Sequence, residues 1–185
     1  MMRRLLPLML FLSSLLPAEA QRSSDALDNV LEHTPIASVF LLKACGVDNQ
    51  TLWGELVLTA GASYLLGTMV TYPMKEIVNE RRPDGSNEHS FPSGHTMFAF
   101  TGATVLRHEF GHVSPWITIG GYSLATLVAA DRVRRRRHYT HDVLAGAAIG
   151  ILGTELTYYL KKKLFKSENV DLTFVGNGLE LAIKW

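Results

Sequence analysis

Between Lys75 and Asp142 the chain carries three polar groups of residues, set in otherwise apolar, helix-like sequence. The first is Lys75 with Arg82-Pro83, the second Pro92-Ser93-Gly94-His95, and the third Arg132, His138 and Asp142. Residues seven apart lie two turns apart on one helix face. The spacing therefore predicts that Lys75 and Arg82 aim two cations at one point before Pro83 stops the helix. Pro92 and Ser93 read as a helix start with Ser93 as N-cap, where backbone N–H groups and the positive dipole end suit an anion. His138 and Asp142 are one helical turn apart, so the carboxylate can accept a proton from one ring nitrogen and leave the other as a lone pair. That describes an oriented nucleophile or base. Three cations, a helix N-terminus and two histidines with an orienting carboxylate suit phosphoryl transfer without a metal.

Each residue alone has an ordinary explanation. A single Lys or Arg is usually a solvated charge, Ser93 an N-cap, His95 a surface histidine, and Asp142 a helix-face carboxylate paired with a nearby Arg. The grouping makes the case. A metal site is a poor alternative at His138 and Asp142, because one histidine and one carboxylate make an incomplete ligand set and Cys45 is the only cysteine.

In order along the chain, Lys-x6-Arg-Pro, Pro-Ser-Gly-His and Arg-x5-His-x3-Asp resemble a signature shared by three groups of enzymes. These are the type 2 phosphatidic acid phosphatases, the bacterial class A acid phosphatases and the vanadium haloperoxidases. Val143-Leu144-Ala145-Gly146 is most similar to the lipid phosphatase branch. The resemblance runs roughly from Leu56 to Leu160. It implies that Lys75, Arg82 and Arg132 hold the phosphate oxygens, with Ser93 and the Gly94 amide adding hydrogen bonds. It also implies that His138 attacks phosphorus to give a phosphohistidine, that Asp142 orients His138, and that His95 protonates the leaving oxygen and then activates water. No cofactor is implied. His141 is set aside because Ala145, one turn further on, is not a carboxylate. Two departures stand out: Asp131 where the family has Ser before the third-group Arg, and a short Pro83-to-Pro92 gap that predicts a small loop over the site.

The elements that must position these residues read mostly as helix. The chain has 185 residues, enough for one domain with a sizeable core, and a formal charge of +1, which argues against general nucleic-acid binding. Residues 1–20 read as a secretory signal: Arg3-Arg4, an apolar run from Leu5 to Leu16, and Ala18-Glu19-Ala20 as the cleavage pattern. The apolar run is short against the ~20 residues needed to span a bilayer, so cleavage is preferred to an uncleaved anchor. Residues 21–50 form an N-terminal helical segment, with Ser23 or Ser24 capping a helix through Leu27, Val30 and Leu31, then an apolar run from Ile36 to Leu42. Cys45 reads as a small buried apolar residue. Asp48 to Thr51 reads as a loop and cap.

Residues 51–166 form the bundle. Leu56–Met74 gives nineteen residues without a charge and Val113–Ala130 eighteen, followed by an apolar helix from Val143 to Leu160. Residues 167–185 switch to strict alternation around Gly176-Asn177-Gly178 and read as a hairpin. The fold expected is an all-α bundle of about five to six core helices, membrane-embedded or membrane-apposed, with a short C-terminal β-hairpin. The run Arg134–Arg137 reads as solvated charge or as a collar drawing anionic headgroups toward His138.

The function expected is an exported, metal-independent phosphatase on the phosphomonoester or pyrophosphate of a membrane lipid, at the periplasmic side of the inner membrane. A soluble periplasmic acid phosphatase would share every site residue. A vanadium haloperoxidase fits the short chain less well, and a non-enzymatic lipid-binding envelope protein follows only if Asp131 disables the site.

Overall fold

The structure, a computed structural model, describes residues 30–47, 49, 51–165, 170–175 and 178–183. The signal-like segment 1–20, the Ser23/Ser24 cap with Leu27, and the Gly176-Asn177 turn lie outside the described residues. The helices are α1 (residues 30–44), α2 (Trp53–Val78), α3 (Gly94–Phe110), α4 (Pro115–Arg134) and α5 (Thr140–Phe165). They form an all-helical bundle. α1 runs unbroken from Val30 and Leu31 through the apolar run Ile36 to Leu42. Its Val39 packs with Leu56 and Ala60 of α2 and with Val105, Leu106 and Phe110 of α3.

α3 occupies the centre, packed against α2, α4 and α5. Small residues let it do so: Ala99 and Ala103 meet Ala125 and Val128 of α4 in a second apolar cluster. Two of the buried hydroxyls within the bundle bond back to their own helices. Thr104 donates to the Phe100 carbonyl at 2.7 Å and Thr154 to that of Gly150 at 2.8 Å, so burying them leaves no orphaned donor. Ser114 caps α4 and Pro115 opens it, whereas α2 starts after Leu52 without any side-chain cap, correcting the cap expected before it. Cys45 is exposed rather than buried, because it falls in the turn that ends α1 beside Gly46 at φ 78°.

Val170–Val175 (β1) and Gly178–Ile183 (β2) pair antiparallel, Val170 opposite Ile183 and Val175 opposite Gly178. Among the described residues one helix, Thr140–Leu164, is long and apolar enough to cross a membrane, with mean hydropathy 1.4. α2 and α4 do not reach that standard.

The seam between α3 and α5 is set by glycine. A Cβ at Gly146 would lie 2.4 Å from the Ser93 carbonyl oxygen, and one at Gly150 2.6 Å from that of Met97, so backbone would have to move. Gly120 on α4 faces open space. Gly146→Ala and Gly150→Ala are therefore expected to lower stability by about 1–3 kcal/mol through overpacking. Gly120→Ala should be neutral or stabilising by up to ~1 kcal/mol, since Ala favours helix over Gly. Thermal unfolding midpoints of the three variants check the contrast.

Candidate active site

The loop between α2 and α3 is built differently from the simplest reading of its spacing. α2 ends at Val78, and Asn79 takes the left-handed conformation (φ 49°) that closes it, with its N–H donating to the Lys75 carbonyl. Arg82 therefore comes from the loop and not from the helix face shared with Lys75. Pro83 disfavours helical geometry at residue 82, and Asn79 tolerates the left-handed cap a turn earlier. A tight turn follows, in which Gly85, at φ 72°, donates its N–H to the Arg82 carbonyl and Arg82 donates its own to Asn87 at 2.9 Å. Lys75 Nζ donates to the carbonyls of His89 (3.1 Å) and Pro92 (2.6 Å), tying the loop back onto α2.

Ser93 caps α3, its hydroxyl accepting from the Thr96 N–H at 3.4 Å and from the Thr96 hydroxyl at 3.0 Å. Its own N–H donates to the Asp142 carbonyl at 3.0 Å, so that amide is committed to structure and not aimed at a ligand. Gly94 and His95 form the first turn and face the cavity.

His138 precedes α5 rather than lying on it, yet its Nδ1 is 3.3 Å from Asp142 Oδ2. That oxygen also accepts from the Tyr139 N–H at 2.9 Å, the acidic half of a capping box, and from the Ser90 hydroxyl. Its other oxygen lies 3.0 Å from His141 Nε2, which also contacts Glu80 at 3.0 Å. Among the described residues, Glu80, His141 and Asp142 form the one trio close enough to share a cation. Oδ2 of Asp142 is already engaged by Ser90, Tyr139 and His138. With Nδ1 held by Asp142, Nε2 of His138 is the nitrogen left to react. Burial first, then the charges of Arg82, Lys75 and Arg132, push the His138 imidazole down to about 4 against the opposing pull of Asp142. The ring is thus neutral at ordinary pH and its lone pair is available.

Five of the eight residues expected at the site, Lys75, Arg82, Gly94, His95 and His138, line one cavity of about 420 Å³. Hollows of about 550 and 600 Å³ elsewhere are larger; the first is lined by His108, Glu155, Lys161 and Lys162 and the second by hydroxyl and apolar side chains, and neither holds a residue of the three signature groups. Asp142 and Ser93 are fully buried, and Arg132 is buried with its charge felt at Lys75, Arg82 and His138. The fixed cations and the first turn of α3 suit a tetrahedral oxyanion.

Sequence reasoning missed two residues. Ser90 grips Asp142 from fifty-two positions away. Glu32 of α1 lines the cavity although no motif marks it. Neither has a partner at helical spacing, so only the folded chain brings them in.

Residues 56–166 match the PAP2 superfamily, and the chain belongs to it. A lipid A 1-phosphatase of Porphyromonas gingivalis is 36% identical over 142 residues, which is 76% of this chain and 32% of that protein. The chain thus spans about a third of that relative's length. Among solved structures, LpxE of Aquifex aeolicus aligns with TM-score 0.57 at 25% identity, over 73% of this chain and 85% of that one. A transmembrane PAP2-type phosphatidylglycerolphosphate phosphatase from Bacillus subtilis aligns with TM-score 0.56 at 22% identity, over 75% and 77%. These likenesses concern the helical fold and lend no support to the C-terminal hairpin, which rests on its backbone pairing alone.

Asp131, the departure from the family pattern, pairs at 2.7 Å with Arg134 Nη2 and at 2.7 Å with Arg135 Nε. Both partners belong to the arginine run and not to the cavity wall. Asp131→Ser is accordingly expected to change the affinity for vanadate, a phosphate mimic, by less than about tenfold, or ~1.4 kcal/mol. Calorimetric titration reads this directly, and a larger gain would mean that Asp131 suppresses the site.

Proposed function

We propose that the chain is a metal-independent phosphatase acting on the phosphate of a membrane lipid through a phosphohistidine intermediate. The observation that carries the reading is His138, neutral and tied through Nδ1 to a buried Asp142, in the same cavity as Lys75, Arg82 and His95. Lys75, Arg82 and Arg132 take the phosphate oxygens, with Ser93 and Gly94 at the α3 N-terminus. The cations and helix end supply the charge stabilisation that a metal provides elsewhere. Nε2 of His138 attacks phosphorus as the ester P–O bond breaks, and His95 gives its proton to the leaving oxygen. His95, now neutral, takes a proton from water. That oxygen attacks phosphorus, the P–N bond breaks, and inorganic phosphate leaves with His138 restored.

A lipid substrate is favoured by the bundle's exterior. Leu58, Leu65, Met69, Leu127, Leu144 and Leu152 are all exposed, and only 28% of the most apolar stretch of α5 is buried within the bundle. So much outward apolar surface fits a bilayer better than water. The helices would cross the membrane with the cavity at its outer face, facing the periplasm, after export directed by residues 1–20. The 36% identical lipid A 1-phosphatase makes a lipid A phosphate the first substrate to assay, alongside phosphatidic acid, phosphatidylglycerol phosphate and isoprenyl pyrophosphate.

Two outcomes test the mechanism. His138→Ala should lower kcat by roughly 1,000-fold or more and abolish phosphate trapped on protein in a rapid-quench experiment, while His141→Ala keeps most activity. An inactive His141→Ala beside an active His138→Ala would refute the assignment. The second outcome concerns pH. Because the neutral ring attacks and burial with nearby cations holds its pKa near 4, the acid limb of kcat/KM due to His138 should lie well below 6.5. Arg82→Gln removes the foremost of those charges and should move that limb upward; a limb that stays put or falls contradicts the electrostatic account.

A further inference from the structure

Glu32 is a carboxylate placed where carboxylates are costly. It sits on α1, outside the residues that match the family, and its side chain is 8% exposed, yet it reaches the wall of the cavity that holds Lys75, Arg82 and His138. Oε2 of Glu32 lies 3.8 Å from Nε2 of His95, and Oε1 lies 3.4 Å from Nε2 of His33, the next residue. A buried carboxylate is retained at such a position only when it is compensated by nearby donors or charge. His95 meanwhile faces a difficulty of its own. It must be an imidazolium when the ester bond breaks, although Arg132, Lys75 and Arg82 all act on it with positive charge and His138 stands nearby.

We propose that Glu32 is the positioning residue for His95, holding Nε2–H and stabilising the imidazolium so that Nδ1 can deliver its proton to the leaving oxygen. The arrangement parallels, at an ion-pair distance of 3.8 Å and not as a hydrogen bond, what Asp142 does for the first histidine: a carboxylate beside one ring nitrogen leaves the other to act. Glu32 stays ionised throughout. The proton leaves His95 for the alkoxide in the first step and is replaced from water in the second. On this view α1 contributes part of the machinery as well as covering the bundle. The inference rests on the phosphatase reading given above and extends it to an element that carries none of the signature.

The decisive variable is the leaving group. A lipid alkyl phosphate needs a proton on its departing alkoxide, whereas an aryl phosphate such as 4-nitrophenyl phosphate releases a stable phenolate without one. In full-length protein, Glu32→Gln should slow phosphoenzyme formation from the alkyl phosphate, read by rapid quench, by ~10²-fold or more while changing phosphoenzyme formation from the aryl phosphate by less than about threefold. The retained phosphorylation by the aryl ester also shows that the variant folds. In a His95→Gln background, Glu32→Gln should cost nothing further on the alkyl ester, because its effect passes through that ring. Equal losses on both esters, or additive losses in the double variant, would make Glu32 a structural residue and overturn the proposal. Wild-type protein inactive on both esters would instead overturn the phosphatase reading itself.

Discussion

The site depends on one buried carboxylate. Asp142 is fully buried, and a charge so placed is tolerated only where enough donors surround it. Its Oδ2 meets the Ser90 hydroxyl from the α2–α3 loop, the Tyr139 N–H at the start of α5 and the His138 ring, while the exposed His141 ring lies 3.0 Å from Oδ1 without hydrogen-bonding to it. Its main-chain carbonyl takes the N–H of Ser93, the α3 cap. Three stretches of chain that bear the site residues therefore converge on one residue. Hydrogen bonds to an ionised acceptor are the stronger kind, and removing any one donor leaves a share of buried charge uncompensated. Fixing Asp142 fixes the histidine, the helix N-terminus and the loop together.

The bundle around that point is polar at its two ends and apolar on its flanks. At the end remote from the cavity, Glu109 is buried and accepts from Tyr158 at 2.7 Å and from Asn49 at 3.0 Å, and Arg107 pairs with Glu155 beside a His108 ring stacked on Tyr158. Lys161 pairs with Glu55 at 2.7 Å at the same end. Between these ends, glycines and alanines bring α3 close to α5 and α4, leaving the larger apolar side chains to face outward. Small residues at the α3 seams, with many Leu, Ile and Trp side chains outside, depart from the usual economy of a soluble core, although Leu56, Met97, Leu106 and Phe110 are buried.

Charge near the cavity is divided between holding a ligand and holding the chain. Of the arginine run, Arg134 and Arg135 pair with Asp131. Arg137 pairs with Asp84 at 3.2 Å, linking the α4–α5 connection to the α2–α3 loop. The run is thus in large part a brace for the two segments that carry Arg82 and His138, and less a free collar than its composition suggested. Exposed pairs of this sort contribute little stability each, ~0–1 kcal/mol, but they limit where the loops can go.

What the sequence determined by itself was the set of polar residues gathered around the cavity and the helical class. Residue types at Lys75, Arg82, His95, His138 and Asp142 were legible because their spacing is local, and helix periodicity is a local property. The same locality produced the errors. Spacing put Lys75 and Arg82 on one helix, whereas α2 stops at Val78 and the loop delivers Arg82 to the cavity by a turn that only Gly85 and Asn79 permit. It put His138 on α5, when the ring stands just before it. The tertiary structure alone decided that Ser90 holds Asp142 and that Glu32 approaches His95. Each contact joins residues more than fifty positions apart, and no local pattern encodes a distance that depends on how five helices pack.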